Sequence, residues 1–202
     1  MDTLEGKKYL VVGGSSGIGL ALTGMLAKRG ATVHVWSRRD NPDLPQGNVI
    51  YSQVDVTAGI KEAKPAALPE SLDGLAYCPG SISLKPFPRL SPDHFQSDFE
   101  INLIGAVRVL QYAEKALRAG EGGSVVLFSS VAVRTGMAYH ASIAAAKGAV
   151  EGLIRSLAAE YAGKKLRVNG IAPSATDTPL AAAVLGDEKK RQASAERHPL
   201  RR

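Results

Sequence analysis

The stretch Gly13-Gly14-Ser15-Ser16-Gly17-Ile18-Gly19 decides how this chain is read. It follows the strand-like run Lys8–Val12 and opens the helical pattern Ile18–Lys28. In that context glycines permit a sharp turn and let backbone N–H groups and the positive end of a helix hold a pyrophosphate. Gly13, Ser15, Ser16, Gly17, Ile18 and Gly19 are therefore candidate phosphate contacts. Outward from the loop, Thr32–Ser37, Val49–Gln53, Leu75–Cys78, Ser124–Ser129 and Leu166–Ile171 read as five further buried strands. Pro92–Ala119 and Ile143–Ala162 carry helical spacing, the first with Ser91 as N-cap and Pro92 at the first helical position. Strand and helix in alternation predict an α/β fold, a doubly wound parallel sheet with helices on both faces. Gly59, Pro65 and Pro69 leave room for at most one short helix in Thr57–Ser71. Beyond Pro179 the chain turns alanine-rich and charged, which predicts one or two exposed helices.

With 202 residues, 45% apolar and 22% charged, the chain is expected to form one domain over 1–202. Cys78 is its one cysteine, so no internal disulfide forms, and the spacings of a metal site are missing. A reducing, cytoplasmic setting is expected, with no secretory leader ahead of Tyr9 and no apolar run long enough for a membrane span. The net charge of +6 raises the question of nucleic acid. Six of the basic residues lie after Gly186 against three acidic ones, and the rest are scattered without aromatic interleaving. That distribution describes a solvated surface and predicts no nucleic-acid partner.

Further residues fall in a telling order: Asp55-Val56 after the third strand, Gly80 after the fourth, Asn102 within Phe99–Leu103, Ser130 after the fifth strand, Lys147 in Lys147–Leu153, and Val168–Pro173 followed by Thr178-Pro179. Together with the glycine spacing they resemble the short-chain dehydrogenase/reductase family, from about Leu4 to the end of the chain. The resemblance implies a Rossmann fold that holds a nicotinamide dinucleotide and moves hydride between it and a small carbonyl or alcohol substrate. By the same resemblance, Asp55 and Val56 meet the adenine and Gly80 keeps a turn at the cofactor. Asn102 helps hold a water in the proton relay, Ser130 binds substrate, and Lys147 contacts the nicotinamide ribose. Pro173, Thr176 and Thr178 belong to the segment that meets the carboxamide. Singly, each also has a local structural use, since short polar side chains cap and brace backbone.

Selectivity for NAD usually comes from an acidic residue at the end of the second strand. Here that position reads Ser37-Arg38-Arg39. A guanidinium binds a 2′-phosphate that a carboxylate would repel, so Ser37 and Arg38 predict NADP(H), with Asp40 close by as a counter-signal.

Three departures from the family pattern stand out. Ile143 occupies the position four residues before Lys147 where most members carry the proton-transferring tyrosine, and Ser130 lies the usual 13 residues before it. Isoleucine transfers no proton. His140, three residues before Ile143, is the leading replacement, because a helix continued backward would set His140, Ile143 and Lys147 on one face; Tyr139 is the alternative. Tyr77-Cys78-Pro79-Gly80 stands in place of Asn-Asn-Ala-Gly. The family's last helix and strand are also missing, which suggests either a short natural chain or a truncated one. Two classes of function survive: an NADP(H)-dependent oxidoreductase with a non-standard proton donor, or a silent NADP(H)-binding protein acting as sensor or scaffold. The helices at Pro92–Ala119 and Ile143–Ala162 resemble the family's four-helix contact, which predicts a homo-oligomer, either dimer or tetramer.

Overall fold

The computed structural model describes residues 3–60, 65, 67–120, 122–198 and 200–201. Six strands form one parallel sheet: β1 (Lys8–Val12), β2 (Thr32–Ser37), β3 (Val49–Gln53), β4 (Gly74–Tyr77), β5 (Ser124–Phe128) and β6 (Arg167–Ile171), in the order β3-β2-β1-β4-β5-β6. The order reverses at β1, so the connections leave β1 and β4 in opposite directions and open a crevice at the carboxyl ends of the strands. β4 ends one residue earlier than its sequence pattern suggests, at Tyr77, although the Cys78 N–H still donates to the Val12 carbonyl at 2.9 Å. Pro79 follows and has no N–H to continue the ladder.

Alternation along β1 shows why both faces are covered. Leu10 and Val12 enter one apolar cluster, with Val109, Ala113 and Leu117 of helix α3 (Gly105–Ala119) and Val150 of helix α5 (Ala141–Tyr161). Val11 joins the opposite cluster with Val33 and Val35, against Leu22 and Leu26 of helix α1 (Gly17–Lys28). Strands buried on both sides are what a doubly wound sheet requires.

The expected long helix over Pro92–Ala119 is present, but it is not uniform. Helix α2 (Pro92–Phe99) passes into π-type turns over Glu100–Ile104 and then into α3. Ser91 is the N-cap, and its N–H donates to Nδ1 of His94 at 3.1 Å. Short helix α4 (Ala132–Thr135) precedes α5. The expected short helix within Thr57–Ser71 falls partly on residues 61–64 and 66, outside the described ones. After Thr178 come a single tight turn at Pro179–Ala181, α6 (Ala182–Leu185) and α7 (Glu188–Ala195), whose Asp187 cap accepts the Lys190 N–H at 2.9 Å. Among the described residues no helix is long and apolar enough to cross a membrane.

Candidate active site

The glycine loop forms the floor of a cleft of about 590 Å³ at the carboxyl ends of the strands. Gly13 has φ +73°, and a Cβ there would stand 3.0 Å from the Pro79 nitrogen. At Gly19 a Cβ would stand 2.2 Å from the Gly13 carbonyl, so no larger residue fits without moving the loop. The helix that starts at Gly17 therefore presents its N-terminus across a bare backbone, the geometry an anionic pyrophosphate needs.

Gly13, Ser15, Ser16, Gly17, Ile18, Gly19, Ser37, Arg38, Asp55, Val56, Gly80 and Thr178 all line this cleft. At one end Arg38 stands exposed and is close enough to Asp55 to help hold that carboxyl below its usual range, after two hydrogen bonds from Thr57. The Ser37 hydroxyl is spent on the Arg39 carbonyl at 2.9 Å. Asn41, which the sequence gave no reason to single out, ties the two phosphate-side loops together by donating to the Ser15 carbonyl at 2.7 Å. Trp36 forms part of the wall, edge-on to Tyr112 with ring centres 5.5 Å apart. This combination of glycine cradle, exposed guanidinium and elongated cleft fits a nicotinamide dinucleotide.

Pro173 and Thr176 do not line the cleft; Thr176 donates to the Ser174 carbonyl at 3.1 Å, one turn ahead of Thr178. Thr178 lies near the phosphate loop, its methyl 3.1 Å from where a Gly17 Cβ would be. The chain from Thr178 to Leu180 thus closes one side of the cleft.

Asn102, Ser130 and Lys147 do not line the cleft; Asn102 Oδ1 and Lys147 Nζ lie behind its wall, 3.4 and 4.0 Å from where a Gly80 Cβ would be. Lys147 on α5 is buried, and its ammonium donates to the Phe128 carbonyl at 2.8 Å. Burial pulls its pKa down to about 8, partly opposed by Cys78 and Asp98. Asn102, in the π-type turns, is buried, and its amide donates to the Ser81 hydroxyl at 3.0 Å and the Asp98 carbonyl at 2.8 Å. Ser130 follows β5 and accepts the Ala132 N–H at 3.2 Å. Ile143 is buried one turn before Lys147 on the same helix.

His140 does not extend that helix face. α5 begins at Ala141, because Tyr139 takes a left-handed φ of +68° and His140 caps the helix from outside it. The His140 imidazole keeps to its own loop, with Nδ1 2.7 Å from the Ala138 carbonyl, and Tyr139 is 59% exposed. Neither lines the cleft.

Two groups went unread in the sequence. Ser81 donates to Asp98 at 2.5 Å, and Asp98 is buried on α2 one turn before Asn102. An acidic residue four positions before Asn102, on a face otherwise turned inward, was the available signal.

Comparison with known proteins agrees with the geometry. Residues 7–189 match the short chain dehydrogenase family. The chain is 33% identical to a tropinone reductase homolog of Arabidopsis thaliana over 99% of its own length and 79% of that protein. It superposes on a short-chain type dehydrogenase/reductase of Mycobacterium ulcerans with a TM-score of 0.87 and 27% identity, covering 100% of this chain and 79% of that one. A short chain dehydrogenase of Escherichia coli complexed with NADPH gives a TM-score of 0.83 at 28% identity, over 93% of this chain and 84% of that one. This chain belongs to the short chain dehydrogenase family.

Proposed function

We propose that the protein is an oxidoreductase that moves hydride between NADP(H) and a carbonyl or alcohol group of a small molecule, with a residue other than tyrosine supplying the proton. The observation that carries this reading is a glycine-floored cleft that presents Arg38, with the buried Lys147 ammonium directly behind Gly80 in its wall. Arg38 in place of an acidic residue supports NADP(H) over NAD, as does the likeness to a relative solved with NADPH. The bound nicotinamide supplies or accepts the hydride. Ser130 and Asn102 hold the substrate oxygen and the solvent around it. Lys147 gives the proton: an Nζ–H bond breaks, an O–H bond forms on the substrate, and the neutral amine regains its proton from water. A lysine with a pKa near 8 suits this task at neutral pH. His140 is the second candidate donor and would have to leave the Ala138 carbonyl to reach the cleft.

Ile143 favours a second reading, a silent NADP(H)-binding protein, since its buried alkyl group takes the place of a phenol beside Lys147. Oxidation of NADPH by the whole chain against a panel of aldehydes, ketones and quinones separates the two. Turnover that persists in His140→Ala and is lost in Lys147→Gln supports the enzyme with Lys147 as donor. Absence of turnover in the native chain and its appearance in Ile143→Tyr supports the silent binder.

A further inference from the structure

The polar chain behind Lys147 is more elaborate than anchoring one asparagine requires. Both amide hydrogens of Asn102 are spent, on Ser81 Oγ and the Asp98 carbonyl, which fixes the amide so that Oδ1 points the other way. Oδ1 is buried without a hydrogen-bond partner, as is Asp98 Oδ2. A Cβ placed on Gly80 would lie 3.4 Å from Asn102 Oδ1 and 4.0 Å from Lys147 Nζ, so both atoms stand beside Gly80, behind the wall of the cleft. A buried carboxylate is costly unless it is hydrogen-bonded and faces a cation. Ser81 meets the first need at 2.5 Å, and Lys147 is the cation whose charge Asp98 favours.

We propose that Asp98 is a positioning residue for Lys147: its carboxylate, through Ser81 and Asn102, orients and holds the lysine ammonium where the substrate oxygen is received. The groups around Lys147 leave this task to Asp98. From β5 it meets the Phe128 carbonyl, and from its own helix Ile143 and Ala146, which do not ionise. From the end of β4 it meets Cys78, whose thiol burial pushes up to about 12, so it stays neutral at working pH. Asp98 on α2 is the remaining charge that acts on it among the described residues. The direction is fixed: a negative neighbour stabilises the ammonium, so removing it lowers the pH at which Lys147 loses its proton.

This rests on Lys147 being the proton donor, but it is testable without turnover. The full chain is labelled with 13C-lysine, and the Lys147 Cε signal, assigned by its loss in Lys147→Gln, is titrated without cofactor. In Asp98→Asn the midpoint is expected to fall by roughly 0.5 or more on the pH scale; an unchanged midpoint in the folded variant overturns the proposal. Should Asp98→Asn fail to fold, Asp98→Ser removes the same charge and must lower the midpoint in the same sense, a midpoint equal to the native one again overturning it. A midpoint that moves in a chain unable to oxidise NADPH leaves this inference standing and removes only the oxidoreductase reading.

Discussion

The proposed preference for NADP(H) over NAD rests on Arg38. This residue lies exposed in the cleft beside Arg39, with Asp55 near and the Ser37 hydroxyl spent on the Arg39 carbonyl, so a guanidinium is what this end offers a phosphate. Charge-assisted hydrogen bonds of this kind are worth ~1.5–3 kcal/mol. Arg38→Ala should therefore weaken NADPH binding about 10- to 100-fold and leave NADH nearly unchanged, as read by calorimetry. At Lys147 function and stability oppose each other. Its pKa is about 8 in the fold against 10.5 when solvated, so keeping it charged at neutral pH costs ~3 kcal/mol. The sign follows: its contribution to stability is full above the unfolded value and is lost as pH falls through the folded one. Lys147→Met should thus raise the melting temperature at pH 7, by less at pH 10, while removing activity. Equal melting temperatures at pH 7 would count against a charged buried lysine. The glycine loop, Asn102 and Lys147 were legible because each keeps a fixed offset from a strand or helix. Asp98 and Ser81 were not, because their meaning is a contact between separate elements.

Among the elements, the helix from Pro92 to Ala119 is the least ordinary. Sequence spacing marks it as one helix, and nothing in that spacing announces the π-type turns at Glu100–Ile104. Their cause is tertiary. The Tyr77 hydroxyl donates to the Ile101 carbonyl at 2.5 Å and fills the notch beside Gly105, while Arg108 reaches Glu100 and the Val56 carbonyl. Asn102 lies buried within these turns, and π-type turns commonly mark functional positions. Tyr77 thus supports from below the helix that carries Asn102. Tyr77→Phe leaves the half-buried Ile101 carbonyl without its partner, and is expected to cost ~1 kcal/mol in denaturant unfolding and to slow any turnover. A variant as stable as the native chain would mean the turn holds itself. The entry to α5 carries the same lesson, since one left-handed residue, Tyr139, moved His140 off a face that helical spacing alone would have given it.

Over the whole molecule, alternating strand and helix patterns were enough to reach the parallel sheet. Strands β1, β2 and β4 are buried as expected, whereas the edge strands β3 and β6 are more exposed because each has a neighbour on one side only. Assembly and closure were less legible. Ile104 and Tyr112, on the π-type turns and α3, remain 37% and 38% exposed, and a Cβ at Gly152 on α5 would meet open space, so this side offers an unfilled helical surface. We expect a dimer through these helices, seen as twice the chain mass in light scattering; a monomer at every concentration would contradict it. The segment after Thr178 folds back through two ties, Arg191 to Asp177 and His198 to Ser174, and brings Leu180 to the cleft.

The most direct test of the central claim follows the hydride itself. NADPH deuterated at C4 on the transferred face is incubated with the whole chain and the carbonyl compound that oxidises it fastest, and the alcohol is analysed by mass spectrometry. One deuterium on the carbinol carbon, with formation of the alcohol falling as pH rises through about 8 where Lys147 loses its proton, is the result expected. NADPH that binds in the cleft while no carbonyl compound gives a deuterated alcohol would contradict the account.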